Sequence, residues 1–157
     1  MKTIETAHDY FEQVVGYNLQ QYKAQPTSLP LAYNLAISLF HMHDWVWVEH
    51  KATLQAHFDA NVASKRGFNA HVQEACHSFK YIRDVANAYK HVSLSSASTS
   101  ATHISNTAAT GYGEGGYGVG GYGGGIIVVN GGTRINFLTA AGKVYEYWRD
   151  LLAKLKK

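Results

Sequence analysis

Between Phe68 and Tyr89 the chain reads FNAHVQEACHSFKYIRDVANAY, with apolar side chains at Phe68, Val72, Cys76 (beside Ala75), Phe79, Ile82, Ala86 and Tyr89. Spacings of three and four, held over about six turns, put these residues on one stripe of an α-helix. A stripe of that length needs other helices to cover it, so the stretch predicts a helix over residues 67–92 and a bundle around it.

The upstream sequence supplies two partners. Ile4, Ala7, Phe11, Val14, Val15, Leu19 and Tyr22 repeat at helical spacing, which predicts a helix over about 3–24. Thr3 or Thr6 can cap it, Thr6 with Asp9 approximating a capping box, and Pro26 ends the segment. A second helix is expected over about 28–58, with Pro30 in its first turn, where a missing N–H costs nothing. It is apolar nearly all round as far as Val48 and should be the most buried helix. Residues 59–66 read as a polar connection.

After Lys90 the character changes. From His91 to Thr133 the only formally charged residue is Glu114, and residues 93–110 are rich in Ser and Thr interleaved with Ala, which suits an extended segment. Ten of the 15 glycines then fall between Gly111 and Gly125, in the pentads GYGEG, GYGVG and GYGGG. IIVV, the turn Asn130-Gly131-Gly132 and TRINFL follow and predict a hairpin over 126–138, with Ile135 and Phe137 on one face. A last helix over about 139–156 carries Val144, Tyr147, Trp148, Leu151, Leu152 and Leu155. The expected fold is mainly α. A single domain over residues 1–157 forms a four-helix antiparallel bundle, with a small β-hairpin and Gly-rich insertion (93–125) before the last helix.

Composition narrows the function classes. The net charge of +3 comes from the C-terminal part, chiefly Lys154, Lys156 and Lys157, because Lys/Arg and Asp/Glu balance over residues 1–90. A basic tip without a basic face is a poor footprint for nucleic acid. The apolar run Leu29 to Val48 is interrupted by Asn34, His41, His43 and Asp44, which argues against a membrane span. A lone cysteine, Cys76, fits a reducing compartment, so a cytoplasmic location is expected. Cys76 also sits on the apolar seam, where a thiol acts as a small hydrophobe. The nine histidines are scattered, and neither metal nor cofactor is expected.

Two polar stripes stand out. Arg83, Asn87 and His91, four residues apart, share one side of their helix, with Asp84 at the same edge. The helix before carries Asn34, Ser38, His41 and Asp44 within an otherwise apolar cylinder. Buried polar groups need partners. If the two helices are neighbours, the stripes face each other or a ligand in one groove. The plainer reading pairs Arg83 and Asp84 with neighbouring helices and leaves Asn87 and His91 to close a helix end.

A late bundle helix bearing an Arg and a His resembles the HEPN superfamily, whose ribonuclease members place an Arg-x4–6-His motif at a dimer interface. Arg83 with His91, and the run Asn87-Ala88-Tyr89-Lys90-His91, carry that resemblance over roughly residues 28–92. Here seven residues separate Arg83 from His91, and Ala86 stands where the family's Arg would precede Asn87. The resemblance implies a metal-independent ribonuclease, a toxin or defence component acting on RNA. In it His91 would move a proton, Arg83 would stabilise phosphate charge and Asn87 would orient it. The strings HMHDW (41–45) and IRDVANAYKH (82–91), with the Gly/Tyr loop before a hairpin and a Trp-bearing last helix, also resemble a group of uncharacterised bacterial helical-bundle proteins.

The pentads do not resemble a phosphate cradle, since a strand follows them and no basic residue is near. Tyr112, Tyr117 and Tyr122 recur every five residues, a period of neither helix nor strand. They read as aromatic contacts, as part of a flexible tether, or as base-stacking platforms, which the absence of any accompanying Lys or Arg argues against. Long aromatic seams and this segment together favour a non-catalytic binding or assembly module, self-associating or meeting a protein partner.

Overall fold

The structure, a computed structural model, describes residues 3–57, 62–90, 103–107, 125–130 and 133–156. It is mainly helical with a small antiparallel sheet. Helix α1 runs as Ala7–Tyr10, a π turn at Phe11–Val15, and Gly16–Ala24. It begins at Ala7, four residues later than the periodicity suggests, because Thr6 is its cap. The Thr6 hydroxyl accepts from the Asp9 amide at 3.0 Å, and the Asp9 carboxylate accepts from the Thr6 amide at 3.2 Å.

The π turn has a cause in the sequence. Buried Ala7, Phe11, Val15 and Leu19 recur every four residues. At about 100° per residue that spacing rotates the stripe by roughly 120° over three steps. One extra residue held in a π turn cuts the drift to roughly 20°, so all four side chains stay on the core.

Helix α2, Leu29–His57, lies close to its expected bounds and bends at His50 (φ −114°, ψ 16°). It is the central element, packed against every other helix. Ala32, Leu35, Ala36, Leu39, Met42, Val46 and Leu54 are buried along it.

The expected helix over 67–92 is two helices, α3 (Lys65–Ala75) and α4 (Phe79–Lys90). Cys76 is extended (φ −134°, ψ 90°), and the Ser78 carbonyl opens the next helix by accepting the amides of Tyr81 and Ile82. Cys, His and Ser are weak helix formers, and Ser favours helix starts. The apolar seam survives the break, since Phe68, Val72, Cys76, Phe79, Ile82 and Ala86 are all buried. The expected start also moves: Ser64 caps α3 through the Gly67 amide, 3.0 Å away. Lys65 and Arg66 therefore belong to a helix and not to a connection. The described helices number five where four were expected.

Strands β1 (His103–Thr107), β2 (Gly125–Asn130) and β3 (Thr133–Asn136) form one antiparallel sheet in the order β1-β2-β3. The hairpin is present, with Asn130 paired to Thr133 and Ile127 to Asn136. It gains a third strand from the Ser/Thr-rich stretch, His103 pairing with Val129 and Thr107 with Gly125. The insertion expected over 93–125 thus contributes sheet at both 103–107 and Gly125. Ile126 and Val128 are buried, as period-2 alternation requires.

Strand β3 stops at Asn136, short of the expected 138, because Asn136 Oδ1 accepts the Thr139 amide at 3.0 Å and caps the next helix. That helix, α5 (Phe137–Leu155), starts two residues early. Phe137 is its first residue and fully buried, so it joins the core from a helix and not from a strand face.

The buried apolar side chains form one cluster. At its centre the Trp148 ring is fully buried, and its Nε1–H donates to the Leu39 carbonyl at 3.0 Å. Phe79 meets it edge-on at 5.8 Å, and Phe68 lies 6.4 Å away. Trp148→Ala is expected to destabilise the protein by about 3–5 kcal/mol. Trp148→Phe, which removes the hydrogen bond and part of the buried ring, should cost less, about 2–3 kcal/mol. Urea unfolding of the two variants checks the difference.

Candidate functional site

The α2 stripe divides along its length. Asn34 is exposed, and its carbonyl accepts from the Asn18 side chain at 3.4 Å. Ser38 is buried, and its hydroxyl donates back to the Leu35 carbonyl at 3.0 Å, which satisfies it within its own helix.

His41 and Asp44, one turn apart, do come together: His41 Nδ1 lies 2.9 Å from Asp44 Oδ2. The other carboxylate oxygen, Oδ1, lies 3.3 Å from His43 Nε2 and pairs with the Lys65 ammonium from the first turn of α3. Asp44 therefore links His41 of α2 to a lysine of α3, with the His43 ring beside the same carboxylate. Burial works to raise the Asp44 pKa. The hydrogen bonds from Lys65 and His41, with the nearby charges of His43 and Lys65, overcome it and hold the carboxyl below its ordinary 3.8.

His43 is buried, and its Nδ1 is bonded to the Phe40 carbonyl. Burial lowers its pKa from the ordinary 6.5, against the raising effects of the Phe40 carbonyl and Asp44. Beside the cluster, Tyr10 of α1 stacks on Trp45 with centroids 5.0 Å apart and planes 17° apart. Burial, then the Asp44 charge, pushes the Tyr10 phenol up to about 12.

The other stripe is bound up within α3 and α4. Asp84 is fully buried, and its Oδ1 accepts from Arg83 Nε at 3.0 Å and Nη2 at 2.9 Å. Arg83 Nη1 donates to Gln73 Oε1 at 2.7 Å. Ten residues of unbroken helix would set Gln73 and Arg83 about 15 Å apart along the axis. The break at Cys76–Ser78 is what brings them together. Asn87 is half-buried one turn beyond Arg83, while His91 lies outside the described residues, as do Tyr112, Tyr117 and Tyr122.

The conditional expectation of neighbouring helices is met, since α2 packs on α4 with Phe40 and Phe79 centroids 5.8 Å apart. Yet each stripe takes a partner from α3: Lys65 for Asp44, Gln73 for Arg83. Lys65, His43 and Gln73 are the site residues that sequence reasoning missed. Ser64 ahead of an apolar repeat was the available signal for Lys65. Nothing in the sequence marked Gln73, whose role follows from the break.

Among the described residues no group of three or more His, Cys, Asp or Glu is placed to hold a metal ion. No described helix is long and apolar enough to cross a membrane. The Cys76 thiol is buried, and that burial pushes its pKa up, away from nucleophilic use. Comparison with protein-family models, curated proteins and solved structures finds no match to this chain.

Two outcomes are expected. Asp84→Asn leaves the Arg83 guanidinium without its buried carboxylate and should cost about 3–5 kcal/mol in urea unfolding. For pH, both His43 and Asp44 have folded pKa values below their ordinary ones, so the unfolded chain binds more protons. The His43 contribution is complete above about pH 6.5 and is lost as pH falls from there through its folded value. The Asp44 contribution is present above about pH 3.8 and is lost as pH falls through its own lower value. The urea midpoint should therefore drop between about pH 7 and pH 5, and drop again below about pH 4.

Proposed function

We propose that this chain is a non-catalytic binding or assembly module, an antiparallel helical bundle that self-associates or meets a protein partner through aromatic surface. The observation that carries the reading is Val48. Its side chain is 81% exposed near the middle of the most apolar helix. It lies one turn beyond Trp45, which is half-buried and carries Tyr10 stacked on it. Trp47 is half-buried beside it, with the Lys51 ammonium 5.9 Å over its ring. Among the described residues Val48 and Tyr17 are the large apolar side chains most open to water. An isolated exposed valine is unremarkable, but one flanked by indoles and a stacked tyrosine resembles the apolar centre of a contact patch. The Gly/Tyr pentads would add a second aromatic contact.

The competing reading, a metal-independent ribonuclease using Arg83, Asn87 and His91, requires a guanidinium able to meet a phosphate. All three Arg83 nitrogens are engaged by Asp84 and Gln73, and the side chain is only 20% exposed. That arrangement favours a structural arginine.

Sedimentation equilibrium of wild type and Val48→Asp tests the first reading. The variant should shift by about tenfold or more toward monomer, or lose its partner in a binding assay by a similar factor. An unaltered assembly state together with unaltered partner binding sinks it. Incubation with RNA in excess chelator, comparing wild type with His91→Ala, tests the second. Cleavage lost on that substitution would replace the module reading with the enzyme.

A further inference from the structure

His43 sits among Phe40, Phe79 and its own helix, with ring centroids 4.7 Å from Phe40 and 6.3 Å from Phe79. Its Nδ1 faces the Phe40 carbonyl, which can only accept, so Nδ1 carries a hydrogen whether the ring is neutral or charged. Any proton gained must therefore arrive at Nε2, which lies 3.3 Å from Asp44 Oδ1. In the neutral ring, Nε2 and Oδ1 are two acceptors facing each other with no hydrogen between them. The Lys65 ammonium, paired with that same oxygen, supplies the positive charge that makes the arrangement tolerable.

Proton gain changes the balance. An Nε2–H now points at Oδ1, and a second positive charge stands beside Lys65. The two cations differ in what they can do about it. The His43 side chain is 7% exposed and fixed at Nδ1, whereas Lys65 is 54% exposed on a flexible stem. A buried imidazolium must be paired, while an ammonium can return to water. Lys65 is the one to leave.

We propose that His43 is a proton-operated latch between α2 and α3: on protonation at Nε2 it takes over Asp44 Oδ1 and releases Lys65, loosening the first turn of α3. The groups facing it are few. His41 stays on Asp44 Oδ2 and keeps the carboxylate oriented. α1 brings the Tyr10 phenol near Asp44, α3 brings Lys65, and α4 meets the ring with the apolar Phe79. The rest of α3 stays docked through buried Phe68 and Val72 and through Gln73. The change is therefore confined to one helix end.

Amide hydrogen exchange, corrected for intrinsic rates and followed by NMR between about pH 5 and 7.5, reads the latch directly. In wild type, protection in the first turns of α3 should fall about two- to fivefold, the range a partly exposed ion pair carries. The fall should track the titration of the His43 ring, with α5 unaffected. In His43→Gln the fall should disappear. Lys65→Met, a change at an exposed side chain, should show the lowered protection at every pH and no response. Overturning results are α3 protection that stays constant while the ring titrates, a ring that stays neutral throughout, an equal fall in His43→Gln, or a retained pH response in Lys65→Met. If His43→Gln does not fold, Lys65→Met decides.

Discussion

The hydrogen bond from the Trp148 indole to the Leu39 carbonyl fixes how the last helix enters the protein. A helical carbonyl has a second lone pair to offer after serving its own helix, and a fully buried indole N–H must find such an acceptor. That single donor sets the depth and rotation of α5 against α2. The aromatic contacts then arrange themselves around it: Phe79 from α4 edge-on, Phe68 from α3, and Trp47 of α2 stacked on Phe68 at 6.0 Å. At the sheet end, Tyr22 does similar work. Its hydroxyl donates to the Pro26 carbonyl at 2.8 Å, and Phe137 meets its ring edge-on at 5.3 Å. The two aromatic centres hold helices and sheet to one cluster of buried side chains.

Helix α3 is the joint of the polar architecture. It is short, and it enters and leaves through breaks in the helical pattern. It gives one side chain to each polar stripe. Lys65 meets a carboxylate ringed by two histidines, an exposed cation against a half-exposed anion. Gln73 meets an arginine already locked to a buried aspartate. The first tie is adjustable, because a water-exposed ammonium loses little on release. The second is rigid, because freeing Asp84 would strand a charge in the core. One helix thus carries a soft contact at its start and a hard one near its end, which is why a proton at His43 can act on the first without disturbing the second.

Much of this was legible in the chain. Helical spacing located α1, α2 and α5 to within a few residues, and Thr6-x-x-Asp9 announced its own capping box. The run of four-residue spacings from Ala7 to Leu19 contained the π turn for a reader willing to count the drift. Asn-Gly marked the hairpin. The break at Cys76 was harder to see because the seam runs through it: periodicity reports which side chains are buried, and both a continuous helix and a broken one bury these. Likewise Arg83 and Asp84 read as polar residues near a seam, but the Gln73 partner of Arg83 lies ten residues back, at a distance that an unbroken helix would not allow.

Local pattern thus determined the mainly helical character, the caps, the hairpin and the core positions, because each depends on residues within a turn or two of one another. The tertiary structure decided which polar groups became partners. It split one helix into two, enlisted Lys65 and Gln73, turned the Ser/Thr-rich stretch into the strand beside β2, and left Val48 in water. Those outcomes depend on which helix faces which. Hydrophobic burial is non-directional and leaves that choice open until hydrogen bonds such as Trp148 to Leu39 and Arg83 to Gln73 close it.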